Sequence, residues 1–170
     1  MQLENNPEAV FTLHSRSLRE TEALAEELAA AAAPGWVIGL DGDLGAGKTA
    51  FSQSFARHLG VQGIVSSPTF TIIKEYAGRI PLYHMDVYRL SVTEADELGL
   101  DEYFYGQGVC LVEWSSILSD LMPERHLHIR LETTGPEERV ITVTAAGEPY
   151  EGVCRGLIQK WGYSKHDECK

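Results

Sequence analysis

Gly42, Gly47, Lys48 and Thr49 stand at the spacing G-x-x-x-x-G-K-[ST] in the stretch GDLGAGKT, a pattern that grips a polyphosphate. The glycines let successive backbone N–H groups turn inward on phosphate oxygens, and the start of a helix adds its partial positive charge. Lys48 is placed to bridge the outer phosphates, and the Thr49 hydroxyl to complete a magnesium shell. Such a loop also needs a carboxylate at the end of a neighbouring strand to hold or orient the magnesium. Two are available. Glu113 follows the apolar run Val109, Cys110, Leu111, Val112, and Asp86 stands near the end of another strand-like run. Each also reads as a solvated strand end; the expectation is that both serve one magnesium and water site, with Lys48 as the third catalytic residue.

Other residues leave alternatives open. SSPTF, residues 66–70, lies where many proteins with such a loop carry a segment that senses the terminal phosphate. Thr69 could offer a hydroxyl and backbone groups there, but the segment reads equally as a Pro-initiated entry into a strand. Trp114 can stack on a base or simply pack. The acidic stretch 94–102 is a solvated helix face or a docking surface for a basic partner. His84 and Asp86 share a strand face, yet one His beside one Asp is no transition-metal site without further ligands.

The elements that must position these groups follow from periodicity. WVIGLDG is a short apolar strand feeding straight into the loop, and KTAFSQSFARHLG is a helix with Phe51, Phe55 and Leu59 at i, i+4, i+8 and Gly60 as its stop. Upstream, RSLRETEALAEELAAAA reads as a helix. Ser17 and Glu20 have capping-box spacing, Leu18, Ala25 and Leu28 lie near one face, and Pro34-Gly35 ends it. TFTIIKEY and IPLYHMDVY form a hairpin about Ala77, Gly78 and Arg79; Met85 and Val87 face one way, His84, Asp86 and Tyr88 the other. TEADELGLDEYF gives one or two short helices and VCLVEW a buried strand. HLHIRLETT and RVITVTA make a second hairpin through Gly135-Pro136, and a last helix runs from about Pro149 to Trp161 before a fraying tail. The expectation is a single α/β domain with its core at about 10–160: a small mixed sheet flanked by helices, with no lid domain.

Composition narrows the partners. A net charge of −11 over 170 residues argues against a broad nucleic-acid surface, so contact with nucleic acid would run through a partner. Cys110, Cys154 and Cys169 lack any CxxC spacing, a pattern of reduced thiols in a cytosol. No stretch reads as an export signal or a membrane span. Guanine readers carry N-K-x-D, but no Asn follows Asn6, which leaves ATP. A small-molecule kinase shares the G-x-x-G-x-G-K-[ST] form, but such kinases close an Arg-rich helical lid over the phosphates. Beyond Glu113 this chain offers mainly a β-hairpin.

Taken together, GDLGAGKT, SPTFTIIKEY, LYHMDVYRL, DELGLDEYF and CLVEW resemble, in order and spacing, the TsaE (YjeE) family of bacterial ATPases. The resemblance covers roughly residues 15 to 145. It implies a small phosphate-loop fold, ATP and Mg2+ as cofactors, and slow intrinsic hydrolysis that becomes useful with partners. The family acts with TsaD and TsaB in making threonylcarbamoyladenosine beside the anticodon of tRNAs reading codons that start with A, while TsaC supplies the activated threonylcarbamoyl group. By the same resemblance Thr49, Asp86 and Glu113 belong to the magnesium site, Trp114 lies close to the nucleotide, and Asp43, Leu44, Gly45, Ala46, Gly47, Lys48, Thr49 and Ala50 form the phosphate loop. Ser67 to Phe70 form the switch-like segment. The segment from Ser15 to Thr21 lies around the adenine, with Thr21 as the single best candidate. For the family's basic contact after the last strand turn, TGPEER leaves Arg139.

Overall fold

Two apolar runs without alternation, VIGLDG and VCLVE, form adjacent parallel strands, each buried on both faces as a central parallel strand must be. The computed structural model describes residues 9–43, 45–66, 68 and 72–162. In chain order the elements are β1 (Ala9–Ser15), α1 (Leu18–Ala31), β2 (Val37–Gly42), α2 (Lys48–His58), β3 (Ile73–Tyr76), β4 (Leu82–Asp86), α3 (Val92–Glu97) and α4 (Leu100–Phe104). They continue with β5 (Val109–Glu113), a 3-10 segment (Ser115–Leu121), β6 (His126–Thr133), β7 (Arg139–Ala146) and α5 (Tyr150–Trp161). One seven-stranded sheet runs in the order β1-β7-β6-β2-β5-β4-β3. β2 is parallel to both β5 and β6, and β4 to β5; the β3–β4, β6–β7 and β1–β7 pairs are antiparallel. The fold is therefore the mixed α/β sheet expected, with the Gly-rich loop leaving the C-terminal end of its central strand.

Strand alternation divides the core in two. Ile38, Leu40 and Leu111 face Leu24 and Leu28 of α1, Phe51 and Phe55 of α2 and Cys154 and Leu157 of α5. Val37, Cys110, Val112, Met85 and Val87 face Ala95, Leu100 and Phe104 of α3 and α4, with Leu118 of the 3-10 segment. His84, Asp86 and Glu113 lie on the α2 side of their strands by the same alternation; Asp41 lies on the other side.

The helix reading holds in detail. The Ser17 hydroxyl caps α1 by accepting from Glu20 N, and Glu20 accepts from Arg16 N one residue outside the cap. Leu18, however, is half exposed; Thr21, Leu24, Ala25, Leu28 and Ala29 make the buried face. It sits at the first helical position, before the apolar stripe begins. The first hairpin turns over five residues, since Tyr76 pairs with Leu82. Its Arg79 donates to the carbonyls of Ala29 (2.5 Å) and Ala32 (3.1 Å), satisfying the open end of α1. The strand expected over TFTIIKEY begins only at Ile73: Ile72, at φ 68°, stands in the left-handed region outside it, and residues 69–71 lie outside the described residues. After β5 the chain forms only the 3-10 segment, the β6–β7 hairpin and α5, so the described residues contain no lid.

Candidate active site

The loop between β2 and α2 is built by backbone constraints before any side chain acts. A Cβ on Gly42 would stand 2.6 Å from the Leu131 carbonyl oxygen of β6, so the strand end tolerates only glycine. Gly47, in the left-handed region at φ 101°, turns the chain into α2. The first N–H groups of that helix have no carbonyl a turn earlier and point out of its N-terminus. Lys48 opens the helix with its side chain buried. Its ammonium donates to the Gly42 carbonyl and to the Asp43 carbonyl (3.2 Å), and lies 4.1 Å from the Trp114 ring centroid. Burial pushes the ammonium below the ordinary lysine value, and the carboxylates of Glu113, Asp41, Asp86 and Asp43 pull it back.

Asp86 and Glu113 are register partners across β4 and β5, and both are buried. The Asp86 Oδ1 accepts from Tyr88 N at 3.0 Å. The Glu113 Oε2 accepts from His84 Nε2 at 2.6 Å; the Ser52 hydroxyl, one turn into α2, donates to the Lys48 carbonyl at 2.8 Å and lies 3.5 Å from the same carboxylate oxygen. One end of the sheet thus gathers two carboxylates, the lysine and the helix start, with Thr49 exposed beside them. This donor set of carboxylate and hydroxyl oxygens suits Mg2+. Among the described residues no group of three or more His, Cys, Asp and Glu forms a softer metal site.

Trp114 adopts a left-handed backbone (φ 65°) and packs at 4.8 Å between centroids on Tyr88, so its ring closes over Lys48. Asp41 holds the segment behind it. That carboxylate accepts from Ser115 Oγ (2.8 Å), Ser116 Oγ (2.9 Å), Ser116 N (3.2 Å) and His128 Nε2 (2.7 Å). Burial alone would raise the Asp41 carboxyl; the bonds from His128, Ser115 and Ser116 outweigh it and bring it down to about 2. Arg139, at the start of β7, braces the loop from the other side, donating to Ala46 O (2.8 Å) and Gly45 O (3.4 Å).

Of the residues expected at the site, Lys48, Asp86, Glu113 and Trp114 converge, and Asp43, Gly45, Ala46, Gly47, Thr49 and Ala50 follow the loop into α2. Thr21 is buried, with its hydroxyl bonded to Ser15 Oγ at 2.8 Å. Leu44 and Thr69 lie outside the described residues, as do Ser67 and Phe70. The sequence reading missed Asp41, Ser52 and the His84–Glu113 contact. An acid interrupting an apolar strand one residue before the loop was the available signal for Asp41; nothing local marks Ser52.

The model for the family "Threonylcarbamoyl adenosine biosynthesis protein TsaE" matches residues 15–141. The chain is 54% identical over 149 residues to the tRNA threonylcarbamoyladenosine biosynthesis protein TsaE of Bacillus subtilis, covering 87% of this chain and 90% of that one. Its identity to the TsaE of Treponema pallidum is 41% over 130 residues, 76% of this chain and 96% of that one. The crystal structure of YdiB from Bacillus subtilis superposes with a TM-score of 0.79 at 46% identity, covering 96% of this chain and 99% of the other. A Gly-rich loop on the central strand, two acids in register beside it and this likeness over most of the chain's length place the protein in the TsaE family.

Proposed function

We propose that the protein binds ATP with Mg2+ at the loop spanning Asp43 to Ala50 and hydrolyses it in support of threonylcarbamoyladenosine formation in tRNA. The observation that carries the reading is the convergence of Lys48 with Asp86 and Glu113 at one strand end. The amides of the loop and helix start gather phosphate oxygens, and Lys48 supplies positive charge to the outer phosphates. Thr49, Asp86 and Glu113 would hold the metal, which when bound screens the charge that builds on the phosphate oxygens. Asp86 and Glu113 also orient water toward the terminal phosphate, and Trp114 screens the lysine from bulk solvent.

No lid covers the described site, so water rather than a second small substrate is the acceptor. ATP state would set the shape of the segment Ser67 to Phe70, and TsaD and TsaB would read that shape in the cytoplasm. tRNA then meets this acidic protein only through the complex. The experiment is steady-state phosphate release from ATP and magnesium with and without the TsaB–TsaD pair. Release should rise severalfold with the pair; a rate the pair leaves unchanged contradicts the reading.

A further inference from the structure

The site contains one buried group that the proposal above leaves without a task. His84 is 1% exposed on β4, its Nε2 2.6 Å from Glu113 Oε2, and its Nδ1 is buried with no hydrogen-bond partner among the described residues. Leaving a ring nitrogen unpaired costs stability, and an apolar side chain would pack there as Leu82 does two residues earlier on the same face. The compensation therefore lies in the bond to Glu113.

We propose that His84 is the positioning residue of Glu113: its Nε2–H fixes one carboxylate oxygen so that the carboxylate is held in one orientation toward the metal and water site. The inference rests on the reading of Glu113 as an acid of that site. A glutamate has three side-chain torsions, and two strand neighbours do not by themselves select among its rotamers. The short bond from the buried His84 ring does. The unpaired Nδ1 fits this assignment. A lone pair is less costly to bury there than an N–H, and Nε2, which faces the carboxylate, is the nitrogen that must carry a proton to donate to Glu113. Metal-binding carboxylates depend on such outer partners for roughly 10–100-fold of their metal affinity.

The test is the Mg2+ midpoint for binding a fluorescent ATP analogue, in wild type, His84→Gln, His84→Leu, Glu113→Gln and the double variant His84→Leu/Glu113→Gln. His84→Leu should raise the midpoint by roughly tenfold or more, while His84→Gln, whose amide nitrogen reaches where Nε2 lies, should recover most of the loss. The double variant should be no worse than Glu113→Gln alone, because the two residues act as a unit. Additive losses would assign His84 a merely structural role and overturn the inference, as would a wild-type midpoint in His84→Leu while Glu113→Gln is impaired. Glu113→Gln at the wild-type midpoint would remove the metal reading itself, and this inference with it. Long-range 1H–15N spectra of the wild-type protein give a check independent of variant folding: the proton must be found on Nε2, and a proton on Nδ1 alone overturns the proposal.

Discussion

Lys48 is where burial and charge oppose each other most directly. Burial of its side chain works against the positive charge, and four carboxylates support it. Lys48→Ala should weaken ATP binding by roughly 10–100-fold, the range of a charge-assisted hydrogen bond, as read by calorimetry. Asp41 gives a prediction of a different kind. Its carboxyl titrates near 3.8 when unfolded and at about 2 when folded, so the unfolded chain takes up the proton first as the pH falls. The stabilisation is whole above about pH 4 and disappears toward pH ~2. It is worth about 2 kcal/mol, so Asp41→Asn should lose that much at neutral pH in urea titrations, and its stability curve should meet the wild-type curve near pH ~2. Cys110 and Cys154 are buried and free, and burial raises their thiols to about 12 and about 11. Peptide mapping after brief alkylation should find both unlabelled in the native protein and labelled in denaturant.

Among the elements, those with strong local signals were legible in the sequence. α2 shows its buried face in Phe51, Phe55 and Leu59, all fully buried, and α1 its cap in Ser17. Phe55→Ala should cost about 3–5 kcal/mol and Ser17→Ala about 1 kcal/mol of unfolding free energy, measured in denaturant. β1 was not legible. Its seven residues pair only with β7, about 130 positions further along the chain, and no local pattern announces such a partner. The 3-10 segment is short and kinked at Leu118, and its start is held by the carboxylate of Asp41 rather than by its own sequence. A capping group some 75 residues away cannot be read from a window of ten. The same limit explains the half-read site: His84 stands in the same run as Asp86, but its bond to Glu113 exists only when β4 and β5 are brought together.

For the whole molecule, the sheet order decides the chemistry. β5 lies between β2 and β4, which brings Glu113 and Asp86 to the end of the sheet where the loop leaves Gly42. No described helix is long and apolar enough to cross a membrane, and beyond β5 the described residues form the 3-10 segment, a hairpin and one helix. The central claim is that one part of the site grips ATP and another turns it over, and the most direct measurement is ATP affinity and TsaB–TsaD-stimulated phosphate release on the same preparations of wild type, Asp86→Ala and Glu113→Ala. Both variants should bind ATP within about tenfold of wild type while losing at least roughly 100-fold in release, as removal of a group acting on the transition state does. Full release by both variants, or loss of binding in step with release, would contradict it.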